Sequence, residues 1–327
     1  MKLSLMKNFY DTVDDERRSP VLDAITSRWF ESANARVIRA SANFVARVTN
    51  EGTTYYLRFN HETERIVHHI NNELSYIQHL VDRGINANKP VPSLTRNLVE
   101  SVHTELGVFN AVLFTEVSGE HIESNDLDLV GYSKWGASLA EIHNASHGLE
   151  LEGPSWGNQL DLLSKQVPEN TVLIQEANSV KDKLSDNQVS RANYGVIVFD
   201  FEMDNIKWYA GKPGFMDFDD YCIHWYAADI AYALRDLYND HVTDFNPDDE
   251  RFKAFIRGYM TIREITDEEL DLIPVFIRLH NLYFYARIHR ANTGSSDSDP
   301  DWVKNLSKRL GEKNEAYLKD IIENPVT

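Results

Sequence analysis

The sequence predicts a two-lobed α+β fold, a small antiparallel-sheet lobe followed by a larger, mostly helical one. Three observations carry this expectation. Strand-like runs crowd residues 35–59 and 97–116, with one amphipathic helix between them. From residue 127 onward helical patterning dominates. A single interruption, Tyr194–Ala231, brings apolar runs that each stop at an aspartate. The character changes near Glu116–Glu120, so residues 1–116 are expected to form the N-terminal lobe and 117–327 the C-terminal lobe. A chain of 327 residues can bury a sizeable core.

Composition bounds the function classes. With 42% hydrophobic and 26% charged residues the chain reads as globular. Charges interrupt every apolar run, which excludes a spanning helix, and the first residues are too polar for a secretory signal. Cys222 stands alone, so neither a disulfide framework nor a cysteine zinc site forms within one chain, and a cytoplasmic location is expected. The net charge of −18 argues against nucleic acid or anionic membrane as partners. No motif speaks to oligomeric state.

Residues 1–33 read as helical, with Ser19-Pro20 opening one run. Two strands flank an Asn50-Glu51-Gly52 turn. Residues 61–83 form a helix whose stripe is Ile66, Ile70, Leu74, Ile77 and Val81, closed by Gly84. Strands at 97–103 and 107–116 follow a proline-bearing loop. Helices are expected at 127–147 and near 170–187, separated by a loop holding Pro154, Trp156 and Gly157. Beyond Tyr226 the chain reads as almost all helix.

The chemistry concentrates in the interruption. The run Val196–Phe199 ends at Asp200, and Asn205 follows five residues later. A second run, Gly214-Phe215-Met216, ends at Asp217. The segments between them read as a hairpin with Lys212-Pro213-Gly214 in its turn, which folds Asn205 and Asp217 toward each other. One amide oxygen and one carboxylate suit magnesium, a hard ion that takes few protein ligands and completes its shell with phosphates and water. Asp200 stands beside that pair, able to hold an acceptor hydroxyl and take its proton late in a phosphoryl transfer. Either aspartate alone reads as a turn former; the conjunction carries the functional reading.

Asp200-x-x-x-x-Asn205, then Asp217, then Asp229-Ile230-Ala231 resembles the small-molecule kinases of the aminoglycoside phosphotransferase and choline kinase group, which share the protein-kinase-like fold. Val198 and Phe199 stand where that group has His-Gly. The resemblance implies Asp200 as the base, Asn205 and Asp217 as magnesium ligands, and Asp229 as a brace for the catalytic loop. It extends upstream. Arg58 stands in the phosphate-contacting lysine slot and Glu73 in the position that pairs with that cation. Asn43 falls in the phosphate-covering loop, and Glu116 and Val117 in the hinge that binds adenine. His143 falls on a supporting helix, in a structural position.

The expected reaction is therefore transfer of the γ-phosphoryl group from ATP or GTP, with Mg2+, to a hydroxyl of a small molecule. Glu202, Asp219 and Asp220 lean toward a cationic acceptor such as an aminoglycoside or amino alcohol. Two alternatives remain at this stage. One is a catalytically weak or inactive nucleotide-binding regulator of the same fold, motivated by Val198, Phe199 and Arg58. The other is a protein serine/threonine kinase, against which stands the missing Ala-Pro-Glu segment after Asp217.

Overall fold

In the computed structural model, which describes residues 1–294, 296 and 298–326, the N-terminal alternating runs build one antiparallel sheet. Two helices precede it, α1 (Leu3–Tyr10) and α2 (Pro20–Thr26). Ser19 caps α2 by accepting the Val21 N–H, and Pro20 takes the first helical position. The strands are β1 (Asn34–Ala40), β2 (Phe44–Asn50), β3 (Thr53–His61), β4 (Pro90–Val91), β5 (Glu100–Thr104) and β6 (Gly107–Thr115). Helix α3 (Val67–Asp82) follows β3. The order is β1-β2-β3-β6-β4, with β5 paired to β6. Glu51 and Gly52, at φ +48° and +79°, form the two-residue turn between β2 and β3. Two left-handed residues match the twist of a tight hairpin.

Every second residue of β2, β3 and β6 points to one core. Phe44 stacks on Phe59 at 5.2 Å, Phe9 of α1 lies 4.4 Å from Phe44, and Phe109 lies 5.8 Å from Phe59. All four are fully buried.

The chain divides into two compact units. The first comprises 1–78, 88–117 and 290–309; the second comprises 79–87, 118–289 and 310–327. In the second unit the helices are α4 (Leu129–Ser146), α5 (Trp156–Gln166), α6 (Thr171–Ser185), α7 (Tyr226–Ala233), α8 (Glu250–Met260), α9 (Asp267–Leu270), most of α10 (Ile273–Asn292) and the later part of α11 (Asp301–Glu323). Two strand pairs complete it: β7 (Tyr194–Ile197) with β10 (Cys222–Trp225), and β8 (Ile206–Tyr209) with β9 (Lys212–Phe215).

Helices α4 and α8 meet backbone to backbone. A Cβ on Gly136 would strike the Phe255 carbonyl, and one on Gly258 would strike the Ser133 carbonyl. Only glycine permits this approach.

Three local expectations change. Helix α3 starts at Val67 rather than at 61, because His61 still pairs with Phe109 in the sheet, and Ile66, expected in the helix stripe, is exposed. The β8–β9 turn is Ala210-Gly211, at φ +48° and +73°, not Lys212-Pro213-Gly214. Only the former pair supplies the two left-handed residues that a two-residue hairpin needs, and Pro213 fits in β9 because this sheet has just two strands. The loop expected to hold Trp156 and Gly157 is shorter, because Ser155 and Asn158 form a capping box that starts α5 at Trp156.

Candidate active site

The second unit assembles the catalytic-loop residues around one carboxylate. Asp229, on the first turn of α7, is fully buried and accepts from the Val198 N–H at 2.9 Å and the Phe199 N–H at 2.8 Å. His143 of α4 stands 3.1 Å from the same carboxylate, and its other ring nitrogen is 2.8 Å from the Tyr259 hydroxyl. Burial pushes the His143 pKa down, even against the pull of Asp229, so the imidazole is a neutral hydrogen-bond bridge. These bonds fix the backbone at the end of β7 and aim the next residue, Asp200.

Phe199 holds φ +72°, a backbone that ordinarily asks for glycine. It is the position where the resembling family carries glycine. Here the ring offsets the strain: it packs on Tyr232 at 4.9 Å, Tyr283 at 5.7 Å and His280 at 5.9 Å, and is 1% exposed.

Past Asp200 the chain turns through a short 3-10 segment, Met203–Asn205. The Asn205 side-chain N–H2 donates to the Asp200 carbonyl at 2.9 Å and to Asp200 Oδ2 at 3.3 Å. The Met216 N–H donates to the Asn205 carbonyl at 3.0 Å, which sets Asp217 beside the catalytic loop. Asp217 itself has φ +63°.

Arg235 and Arg287 are what sequence reasoning missed. Arg235 Nη1 donates to Asp200 Oδ1 at 2.9 Å while Nη2 holds Glu202 Oε2. Arg287 Nη1 donates to Asp220 Oδ2 at 2.7 Å and lies over the Tyr283 and Phe284 rings. A signal for Arg235 lies in the sequence: a cation following the run Tyr226–Leu234, whose one charged residue is Asp229, calls for a nearby anion. Asp219 is buried in the same stretch.

Withdrawal from water pushes the Asp200 carboxyl up, against the pull of Arg235. The same withdrawal, with the neighbouring Asp200 charge, pushes Glu202 to about 7. Withdrawal works against the charge on Arg235 too, but the two facing carboxylates raise it above its ordinary value.

The first unit places the other candidates. Arg58 of β3 and Glu73 of α3 form a two-pronged pair, 2.8 Å and 2.5 Å, at 6% and 1% exposure. A surface ion pair is excluded by that burial. Asn43, between β1 and β2, accepts from the Asn60 amide at 2.6 Å. Glu116 accepts from the Tyr56 hydroxyl at 3.2 Å, and Val117 is buried.

The residues present fit a hard divalent ion. The Asn205 amide nitrogen is engaged by Asp200, so its oxygen could face an ion, and Asp217, one residue after the Met216 N–H bond to the Asn205 carbonyl, could add a carboxylate. Among the described residues no cluster of three or more His, Cys, Asp or Glu side chains could hold a metal alone. A two-ligand site completed by phosphates and water agrees with both facts.

The chain is a small-molecule kinase with an alcohol group as acceptor, as its family match shows. The model of the phosphotransferase enzyme family matches residues 34–265, and the chain belongs to that family. It is 26% identical over 273 residues to the amicoumacin kinase of Bacillus subtilis (strain 168), covering 80% of this chain and 81% of that one. Among solved structures it is similar to an amicoumacin kinase in complex with AMP-PNP, Ca2+ and Ami, with TM-score 0.74 and 23% identity over 98% of this chain and 97% of the other. It is also similar to a microcompartment-associated aminopropanol kinase, with TM-score 0.69 and 19% identity over 93% and 97%. These likenesses confirm the expected kinase-like α+β fold. Among the described residues no helix is long and apolar enough to cross a membrane.

Proposed function

We propose that the protein transfers the γ-phosphoryl group of ATP, with GTP as the alternative donor, to a hydroxyl of an amine-bearing small molecule. The carrying observation is the linked geometry of Asp200, Asn205 and the Met216–Asp217 strand end. Asn205 and Asp217 hold Mg2+, which supplies charge neutralisation on the phosphates when bound. Asp200 aligns the acceptor hydroxyl and receives its proton late in the transfer. Arg58, held by Glu73, steadies the nucleotide phosphates; Asn43, Glu116 and Val117 supply further nucleotide contacts. Dependence on ATP supports a cytoplasmic location.

The acceptor reading changes in one respect. Glu202 and Asp220 each already carry an arginine, so they recognise an amine less strongly than bare carboxylates would. The name of one relative, an aminopropanol kinase, supports an amine-bearing acceptor.

A thermal-shift titration of the full chain tests the donor half. ATP at about 100 times its Kd, with Mg2+, should stabilise the fold by roughly 2.7 kcal/mol. Asp217→Ala should remove the Mg2+-dependent part of that shift; an unchanged shift removes Asp217 from the metal site. Asp200→Asn should lower turnover by about a hundredfold or more with nucleotide binding intact. Near-normal turnover sinks the base assignment.

A further inference from the structure

We propose that Asp240 is a positioning residue for phosphoryl transfer, acting through Arg235 on the Asp200 carboxylate. The inference rests on the reading of Asp200 as the group that aligns the acceptor. Both oxygens of Asp200 are engaged, Oδ1 by Arg235 and Oδ2 by Asn205. Asn205 is tied to the same loop. Arg235 reaches in from outside it, at the start of the 3-10 turn Arg235–Tyr238. A forked guanidinium that bridges two carboxylates depends on where its own backbone stands.

That backbone is held by an unusual turn. Asn239 and Asp240 have φ +50° and +61°, two consecutive left-handed residues that both carry a Cβ. Such conformations persist only where the surroundings over-determine them. Asp240 supplies the surroundings. Its N–H donates to the Arg235 carbonyl at 3.3 Å. Its own carbonyl accepts from the Asn281 amide of α10 at 2.7 Å. Its Oδ2 accepts from Lys313 Nζ and the Tyr317 hydroxyl of α11, each at 3.2 Å. His280 Nδ1 lies 4.0 Å from Oδ1. One residue thus joins the Arg235 turn to two helices and sets the reach of the guanidinium toward Asp200 and Glu202.

The chain of contacts yields a test that a merely structural role would not pass. Asparagine tolerates the left-handed backbone and matches the size of aspartate, so Asp240→Asn removes mainly the charge that holds α11. ATP turnover with water as the acceptor, read as phosphate release by the full chain with Mg2+, avoids dependence on an unidentified substrate. Asp240→Asn should lower kcat by roughly tenfold or more and leave the KM for ATP unchanged. Lys313→Met, which leaves Asp240 itself in place, should shift kcat the same way and covers the case of an unfolded Asp240 variant. Arg235→Met should lower kcat, and Asp240→Asn should then add nothing in that background. Losses that multiply in the double variant overturn the proposal, as do an unchanged kcat in both the Asp240→Asn and Lys313→Met chains, or a rise in kcat on removing Arg235. Asp200→Asn, assayed alongside, separates the two readings. Retained turnover there overturns the base assignment, whereas an inactive Asp200→Asn with independent Asp240 and Arg235 effects overturns this proposal alone.

Discussion

Phe199 shows how a single residue can occupy a position whose backbone suits another. The left-handed conformation costs a residue with a Cβ on the order of 1 kcal/mol relative to glycine. Burying a phenylalanine ring is worth about 3–5 kcal/mol against its removal. Burial wins, and the ring stands among Tyr232, His280 and Tyr283. Both Phe199→Gly and Phe199→Ala should therefore destabilise the fold. The usual ranking of the two should invert, with glycine more stable than alanine by roughly 0.5–1 kcal/mol. Denaturant midpoints decide it: an alanine variant at least as stable as the glycine one shows that the backbone relaxes once the ring is gone.

At the scale of elements, the candidate catalytic loop is positioned by helix α4 through an intermediate carboxylate. Helix α4 carries His143 to the Asp229 carboxylate, which grips the two N–H groups preceding Asp200. The depth of α4 is set by α8 through Gly136 and Gly258. Gly258→Ala forces a Cβ against the Ser133 carbonyl, so the helices must separate. The expected penalty is about 1–3 kcal/mol or more, seen as a lowered Tm. A Tm equal to the wild type means that the two helices part at little cost. The β8–β9 hairpin acts in parallel by returning Asp217 to Asn205, and its Ala210-Gly211 turn sets the register that makes this possible.

For the whole molecule, buried histidines set the response to acid. Burial pushes His224 and His280 down to about 3, and His143 below its ordinary value. The folded state then binds fewer protons than the unfolded chain below pH ~6.5, so stability falls as pH drops through that window. Glu202 runs the other way. Its folded pKa of about 7 lies above its ordinary value of 4.5, so its contribution is present at low pH and lost as pH rises between them. The net pH curve is a compromise, and a difference isolates one group. His224 accepts the Trp225 N–H at 2.9 Å, a bond that glutamine can keep. Relative to His224→Gln, the wild type should lose about 1.4 kcal/mol of stability per pH unit below pH ~6.5. Urea midpoints across that range measure it; parallel curves show that His224 is protonated in the folded state.

Short-range spacing encodes the part of the site that lies close in the chain. Apolar runs ending at Asp200 and Asp217, with Asn205 between, fold on themselves through a hairpin of a few residues, so their neighbourhood is written in spacing. The Ile70, Leu74 and Ile77 part of the α3 stripe and the alternating strands are equally legible, because each element presents one apolar face to be covered. Tertiary structure alone decided the partners. Glu202 and Asp220 read in sequence as bare acids, yet Arg235 and Arg287 come from 33 and 67 positions away to neutralise them. The spacing of Arg58 and Glu73 leaves open whether they pair in water or away from it, and packing buries both. Residues 290–309 cluster with the N-terminal sheet rather than with the helices that flank them in the chain. A buried charge must find its counter-charge wherever the packed chain brings one within about 3 Å, and no local periodicity records that meeting.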